Sequence, residues 1–473
     1  MKTRTGQRPR EGSSSTLAAL ATAFLLLGCA GSTTPSNGVA SIGPATPPPA
    51  TSSAEPQTQR PSPTAAPLAS TPGSGPEGTA TSSCPVAVAH TVVPGDTLSG
   101  IAERDGVTLQ GLLAANPQIR DPELIHAGDR ITISPIDLGP GTAVAINNRG
   151  QVVGTDAGRA FLWQDGVRTD LGPDTFVVDI NDAGQAVGAH GAHAALWQDG
   201  TMADLGTLGG PLSAATGINE RGQVVGWSQV AGSAEDDPPR HAFLWQDGTM
   251  FDLAPLGRPY GGSRESLAIN DLGQVVGTGA DDAGEQHVYL WDDGRLRDLG
   301  PLGPGPAFVA VNNRGEVVVV AAGPAAVAIN DRGEIAGGRT LSDLVWDGDI
   351  YLWRDGTSAD LGPLEGGFLW RDGRMTGLGS LGGRGSWASA INERGQVVGE
   401  SLTDIPAPHP GELCCSTLLH AFGWRDGAMV DLGTLGPLDG SDAADINDCG
   451  QAVGRTYDDA GDSHAVLWQT APS

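Results

Sequence analysis

The stretch AVAINNRGQVVG at residues 143–154 is the first of eight copies of the unit that decides the fold. Each copy has a short apolar run, an Asn-x-x-Gly turn and a second short apolar run. The other seven copies begin at residues 177, 215, 266, 308, 326, 388 and 443. Two apolar runs joined by a turn of this composition predict a β-hairpin.

A second unit alternates with the first and carries an Asp-Gly turn. Examples are FLWQDGVRTDLG (161–172), ALWQDGTMADLG (195–206) and FGWRDGAMVDLG (422–433). Asp-Gly between apolar runs also predicts a hairpin. Two hairpins per repeat supply four strands, the content of one blade of a β-propeller. We therefore predict a mainly β fold: a propeller of four-stranded blades over residues 136–473, preceded by a small βααβ module and a disordered linker.

The two ends of the array predict that the ring closes. The array opens with IDLG (136–139), which has no Trp-Asp-Gly arm before it, and ends with VLWQTAPS (466–473), which has no Asp-Leu-Gly strand after it. The first strand is expected to complete the last blade, because closure removes the sheet edges that a linear array would leave exposed.

The number of blades depends on residues 298–376. Two Asn-x-x-Gly hairpins, at Asn312 and Asn330, are followed by two tryptophan arms, at Trp353 and Trp370. This order fits one decorated blade in a ring of seven or two imperfect blades in a ring of eight. We expect seven blades, with eight as the alternative.

The charge of the chain excludes one class of partner. The 27 Lys and Arg residues face 55 Asp and Glu residues, which gives a formal net charge of −28. Nucleic-acid binding depends on basic patches that displace counterions from phosphates, and this chain has none. A polymeric ligand is therefore expected to be recognised through neutral groups.

The N-terminus has the composition of an export signal. A basic start with Lys2 and Arg4 is followed by an apolar stretch at residues 17–27, too short to span a bilayer stably. The run LLGC ending at Cys29 resembles the bacterial lipobox. The resemblance implies a signal peptide at 1–28, lipidation of the Cys29 thiol, and a lipid-anchored protein of the cell envelope. Residues 29–83 are dominated by Pro, Ser, Thr and Ala and are predicted to be a disordered linker.

Residues 84–135 are predicted to be the small module. Within them, two short strands enclose two helical patterns, and the run HTVVPGDTLSGIAERDGVTLQGLLAANPQI…LIHAGDRITI closely resembles the LysM family. The resemblance implies binding of N-acetylglucosamine-containing glycans, peptidoglycan or chitin, in a groove between two loops. The implied glycan-binding residues are Pro94, Gly95, Asp96, Thr97, Leu98, Asn116, Pro117, Gln118, Ile119, Leu124 and Ile125.

The repeat region shows a second resemblance. The stretches HAFLW (241–245), HVYLW (287–291) and HAVLW (464–468) resemble the HAF family of extracellular repeats, and the likeness covers most of 136–473. It implies export and β-rich repeats, and the family has no settled activity. The recurrent histidines and tryptophans of the repeat are read as structural, because one position repeated in successive blades is rarely catalytic.

No motif in the sequence predicts a catalytic site, a cofactor or a metal. Acidic loops such as 281–282 are interpreted as solvent-exposed, with calcium binding as the alternative. In an exported chain Cys449 is free to pair with Cys414 or Cys415.

These features predict a non-enzymatic envelope lipoprotein that binds peptidoglycan and presents a propeller to an unknown partner or ligand. The alternatives are a wall-targeted enzyme with its active site in the propeller channel, and an adhesin or structural spacer.

Overall fold

The computed structural model describes residues 89–470, apart from 106, 117, 233–239, 255, 257–266, 282, 303–306, 322–324, 340–348, 364–365, 408–416 and 459. The predicted signal peptide, Cys29 and the predicted linker lie outside the described residues. Within the described part, no helix has both the length and the apolar character needed to cross a membrane.

The small module has the predicted βααβ order. Its elements are β1 (Ala89–Thr91), α1 (Leu98–Asp105), α2 (Leu109–Ala114) and β2 (Arg130–Thr132). The two strands pair antiparallel, with His90 opposite Ile131. Helix α2 begins after Thr108, whose hydroxyl accepts the amide N–H of Gly111 and so satisfies one free donor of the first turn.

Strand β3 (Ile136–Pro140) follows, and the described chain then forms eight four-stranded antiparallel sheets. Blade 1 contains β4 (Thr142–Ile146), β5 (Val152–Asp156), β6 (Arg159–Gln164) and β7 (Val167–Pro173), and blade 2 contains β8 (Thr175–Ile180), β9 (Ala186–His190), β10 (His193–Gln198) and β11 (Thr201–Gly206). Blade 3 contains β12 (Gly209–Ile218), β13 (Val224–Val230), β14 (Arg240–Gln246) and β15 (Thr249–Asp252). Blade 4 contains β16 (Leu267–Ile269), β17 (Val275–Ala280), β18 (Gln286–Asp292) and β19 (Arg295–Pro301).

The second half of the ring contains blades 5 to 8. Blade 5 contains β20 (Ala307–Val311), β21 (Val317–Ala321), β24 (Asp349–Arg354) and β25 (Thr357–Pro363). Blade 6 contains β22 (Ala325–Ile329), β23 (Ile335–Arg339), β26 (Phe368–Arg371) and β27 (Arg374–Gly377). Blade 7 contains β28 (Gly382–Ile391), β29 (Val397–Pro406), β30 (Thr417–Arg425) and β31 (Ala428–Asp431), and blade 8 contains β32 (Gly440–Ile446), β33 (Gln451–Tyr457) and β34 (Ser463–Gln469) together with β3.

The predicted closure of the ring is confirmed. Strand β3 pairs antiparallel with β34 and forms the outer strand of blade 8, with Ile136 opposite Leu467. The side chain of His464 also contacts Asp137 across this pairing, with Nδ1 3.0 Å from Oδ1. The first strand of the array therefore completes the last blade.

The ring has eight blades, so the preference for seven was wrong and the alternative is confirmed. The cause is an interleaved chain path. The inner hairpins of blades 5 and 6 come first, as β20–β21 and β22–β23, and the outer hairpins follow in the same order, as β24–β25 and β26–β27. In chain order β22–β23 lies between the two hairpins of blade 5, and β24–β25 lies between the two hairpins of blade 6. This is why the sequence shows two Asn-x-x-Gly hairpins before two tryptophan arms.

Apolar side chains pack between successive blades, and one glycine of the repeat permits close backbone approach. Val153, Val187 and Val225 are fully buried. A Cβ placed on Gly188 would lie 1.9 Å from the carbonyl oxygen of Phe176 on the neighbouring strand. Only glycine fits at Gly188, so this residue is a packing requirement of blade 2, whereas Val319 occupies the equivalent position in blade 5.

Candidate functional site: the module loops and the propeller channel

The first predicted glycan loop is held in place by Asp96. Its Oδ2 accepts the backbone N–H of Val93 at 2.9 Å and lies 2.7 Å from Nε2 of His90. The Val93 N–H and the His90 ring together lower the pKa of Asp96 below its usual value. Because a carboxylate only accepts, His90 donates this bond, and the first strand is tied to the loop that follows it.

The second predicted loop is organised by Asn116, which is fully buried. Its Nδ2 donates to the carbonyl oxygens of Leu112 and Thr132, both at 2.7 Å. Its Oδ1 accepts the N–H of Thr132 at 2.8 Å and the side chain of Gln118 at 3.1 Å. One side chain therefore joins helix α2, strand β2 and the loop.

The structure divides the predicted glycan-binding residues into exposed and buried groups. Pro94, Gly95, Thr97, Gln118 and Leu124 are exposed, whereas Asp96, Ile119 and Ile125 are half-buried. Pro117 lies outside the described residues. Leu98 is only 2% exposed and Asn116 is 0% exposed. Their side chains are buried in the domain, and glycan contact by these two residues stays a prediction.

The module packs on the outer side of blade 7. Gly111 in helix α2 lies so close to Gly433 that a Cβ on Gly433 would be 2.5 Å from the Gly111 Cα. The amide of Thr108 also donates to the carbonyl of Thr434 at 3.4 Å. A cavity of about 630 Å³ lies at this junction, and Thr108 and Gln110 of the module line it together with His420 and Asp431 of blade 7. It shares no residue with the two predicted glycan loops.

A ring of buried asparagines from the Asn-x-x-Gly turns links all eight blades. Each side-chain Nδ2 donates to the carbonyl oxygen of the equivalent asparagine in the next blade, at 2.8 to 3.0 Å. The eight residues are Asn147, Asn181, Asn219, Asn270, Asn312, Asn330, Asn392 and Asn447. The last bond, from Asn447 to Asn147, closes the circle and joins the two ends of the array.

A second ring, mainly of carboxylates, follows one residue later in each turn. Each of these side chains accepts the backbone N–H of its counterpart in the preceding blade, at 2.7 to 3.0 Å. The residues are Asn148, Asp182, Glu220, Asp271, Asn313, Asp331, Glu393 and Asp448. Partial burial, together with the neighbouring carboxylates, raises the pKa of both Glu220 and Glu393. Five of the eight turns carry an arginine at the next position, so the charge of the six carboxylates is largely offset.

Two further carboxylates, Asp179 and Asp445, are half-buried and lie just before the asparagine ring. Each carboxylate accepts two backbone N–H groups at 2.8 to 3.0 Å. One belongs to the isoleucine that follows it in sequence, and the other belongs to an isoleucine in the next blade. Burial raises the pKa of Asp179 to about 6, and the charge of Asp445 adds to the effect. The sequence analysis missed both rings, although the position after each asparagine is always Asn, Asp or Glu.

The recurrent histidines make the same contact in successive blades. In each case Nδ1 lies 2.8 to 3.0 Å from the aspartate of an Asp-Leu-Gly or equivalent motif on the adjacent outer strand. The pairs are His193–Asp204, His241–Asp252, His287–Asp298, His420–Asp431 and His464–Asp137. The shared geometry agrees with a structural role for this column.

The cysteine prediction is tested only at Cys449, which takes part in a disulfide. The other four cysteines lie outside the described residues, so pairing with Cys414 or Cys415 stays a prediction. Among the described residues, one group of side chains has its ligand atoms close enough to hold a metal ion: Asp281, Glu285 and His287, with these atoms within 4.8 Å of one another.

Comparison with known proteins identifies the small module. The family model described as LysM domain matches residues 90–134, so this segment is a LysM domain. The secreted LysM effector ECP6 of Passalora fulva is 46% identical over 44 residues, which are 9% of this chain and 19% of that protein. The shared region is therefore confined to the module.

Solved structures also match, at low similarity. The propeller domain of the Trilobed protease from Pyrococcus furiosus has 12% identity and a TM-score of 0.36, with 70% of this chain and 95% of that chain covered. The acylaminoacyl peptidase of Pyrococcus horikoshii has 13% identity and a TM-score of 0.38, with 71% and 52% covered. A gluconolactonase from Xanthomonas campestris has 16% identity and a TM-score of 0.28, with 43% and 84% covered. At these scores none of the likenesses carries an argument about activity.

Proposed function

We propose that this chain is a non-enzymatic, exported lipoprotein of the cell envelope whose LysM domain binds an N-acetylglucosamine-containing glycan, with peptidoglycan as the first candidate. The observation that carries the proposal is the pair of loops in the domain. Their exposed side chains stand on a frame fixed by Asp96 and Asn116, so a neutral ligand meets a surface that is already ordered.

The chemistry of this surface fits a neutral saccharide. Leu124 is 65% exposed and offers an apolar contact for a sugar face. Gln118, on the second loop, has an amide that pairs with acetamido groups. The net charge of −28 favours recognition through such groups over recognition of an anionic polymer.

A single domain of this size gives an affinity of roughly micromolar to millimolar dissociation constant, about −4 to −8 kcal/mol. A lipid on Cys29 would hold the protein near the glycan and raise its effective concentration, so a weak site stays occupied. In this proposal the LysM domain docks on the wall, and the propeller presents its loops to a partner or ligand.

The channel supports a scaffold role better than the enzyme alternative. The described side chains at its asparagine end occupy equivalent positions in eight repeats, and they form hydrogen bonds with the equivalent turns of neighbouring blades. An active site needs unlike polar groups that converge on a substrate. This arrangement therefore favours a propeller that holds its shape and binds through other surfaces.

Sedimentation with insoluble peptidoglycan and with chitin tests the glycan assignment. The full chain is expected to pellet with peptidoglycan, and Leu124→Asp is expected to reduce the bound fraction at least fivefold. Leu109→Asp is the matched control, because Leu109 is an exposed leucine of the same domain outside the predicted loops. Equal pelleting of all three proteins, or loss of binding in the control alone, would reject the site.

Replacement of Cys29 by Ser tests the anchor independently. The variant is expected to move from the membrane fraction to the soluble fraction of the producing cell. Unchanged partitioning would reject lipidation at this cysteine without affecting the glycan assignment.

A further inference from the structure

We infer that blade 4 carries a binding site for a divalent transition-metal ion, with Zn²⁺ as the first candidate, formed by Asp281, Glu285 and His287. One oxygen or nitrogen from each of the three side chains lies within 4.8 Å of the others. The group sits where the loop 281–285 joins β17 to β18. A mixed set of two carboxylates and one imidazole is a ligand set for Zn²⁺ and similar ions.

The orientation of His287 is the observation that points to a cation. Its Nδ1 lies 2.8 Å from Asp298 on β19, which is outside the loop. Because the carboxylate accepts, Nδ1 carries the proton, and the lone pair of the neutral ring is on Nε2. Nε2 faces Asp281, 3.7 Å from Oδ2, and makes no hydrogen bond within the described part of the chain.

A lone pair directed at a carboxylate is unfavourable unless a cation or a proton lies between them. The arrangement in which a carboxylate fixes one ring nitrogen and the other nitrogen is left for a metal is the usual outer shell of a histidine ligand. The side chain of His287 is only 14% exposed, and its ring stacks on Tyr289 at a centroid distance of 6.0 Å. The ring is therefore held in this orientation from several sides.

The two carboxylate oxygens of Asp281 have different roles. Its Oδ1 accepts the backbone N–H groups of Ala283 and Glu285 at 2.9 and 2.8 Å, which fixes the loop. Oδ2, the atom facing His287, receives neither of these bonds. A tetrahedral Zn²⁺ with bonds of about 2.0–2.1 Å holds its ligand atoms about 3.3 Å apart, close to the 3.7 Å observed between Nε2 and Oδ2. The fourth position would be left for water.

Blade 8 contains a natural comparison. The sequence DDAGEQH at 281–287 recurs as DDAGDSH at 458–464. Asp458 accepts the N–H groups of Ala460 and Asp462, as Asp281 does in its own loop. Among the described residues, however, the blade 8 side chains do not come together as a metal-binding group. Its histidine is 43% exposed instead of 14%, and Asp462 is one methylene shorter than Glu285.

Isothermal titration calorimetry of the metal-stripped full chain with ZnCl₂ tests the proposal. The wild type is expected to bind one equivalent of Zn²⁺ at this site, and Glu285→Gln and His287→Gln are expected to weaken that binding at least tenfold. The matched controls are Asp462→Asn and His464→Gln in blade 8, which are expected to bind as the wild type does.

Each other outcome overturns the proposal. These are no stoichiometric binding by the wild type, unchanged binding in both blade 4 variants, or an equal loss in the blade 8 controls. Glu285 is exposed, so its variant keeps the test valid if His287→Gln disturbs the fold. An imidazolium at His287 would satisfy the same geometry without an ion, and it would give the first of these results.

Discussion

Replacement of Asn219 by Ala tests the asparagine ring, because this side chain makes four hydrogen bonds in a buried position. Nδ2 donates to Gln223 Oε1 at 2.7 Å and to the Asn270 carbonyl at 2.9 Å. Oδ1 accepts the N–H groups of Arg221 and Gln223 at 3.1 and 2.9 Å. Asn219 is 4% exposed, so the groups left behind have little access to water.

The expected loss in the free energy of unfolding follows from these bonds. A net hydrogen bond contributes about 1 kcal/mol, and a buried group left without a partner costs about 1–3 kcal/mol. With four bonds removed and at least two groups left buried, we expect a loss of about 3–5 kcal/mol. Asn219→Asp should also destabilise the chain, because a carboxylate has no proton for the Asn270 carbonyl.

Equilibrium unfolding in urea, followed by tryptophan fluorescence, measures the effect. The matched control is Thr201→Ala, which removes one bond of 2.8 Å to the Gln198 carbonyl at an exposed hairpin and should change stability by less than about 0.5 kcal/mol. A loss below about 1 kcal/mol for Asn219→Ala, or one no larger than in the control, would refute the reasoning that the ring holds the blades together.

Two further predictions concern a half-buried carboxylate and a buried tryptophan of the propeller. The pKa of Asp179 is about 6 in the folded chain and 3.8 in its ordinary state, so the folded chain binds a proton more tightly between these values. Its contribution therefore lowers stability as the pH rises from about 4 to about 6, by up to about 3 kcal/mol, and stays constant above that. Melting temperatures from pH 4 to 7 should show this trend in the wild type minus Asp179→Asn difference, and a flat difference would contradict it. Trp468 is 0% exposed, so Trp468→Ala should cost about 3–5 kcal/mol in urea unfolding, whereas Trp163→Ala, at a half-buried equivalent, should cost clearly less. Equal losses would show that burial does not set the cost.

The repeat pattern predicted most of the fold because its signals are local. Asp-Gly and Asn-x-x-Gly turns fix the hairpins, and aspartates such as Asp165 and Asp199 indeed adopt positive φ values of 50°. Ring closure was also predicted from a local signal, the IDLG strand that has no tryptophan arm before it in the sequence. The eight-blade count was not accessible in this way, because the skip of β24 over β22–β23 is a tertiary choice that leaves no mark in any single hairpin.

The candidate sites show the same division between local and tertiary information. The LysM motif identified the two loops, but it did not separate Leu98 and Asn116, which are buried, from Leu124, which is exposed. The sequence indicated only a calcium alternative for the 281–282 loop. It did not connect His287 with this loop, because that histidine belongs to the structural column and the approach of Asp281 to its Nε2 is a tertiary contact. Composition alone made that loop look like a solvated acidic turn.

Hydrogen exchange of the full chain with and without a soluble N-acetylglucosamine oligomer tests the central claim most directly, because it reports every amide at once. The account predicts added protection in peptides that cover 93–98 and 116–125, with the propeller amides unchanged. No protection in those peptides, or protection confined to the propeller, would contradict the assignment of glycan binding to the loops of the LysM domain.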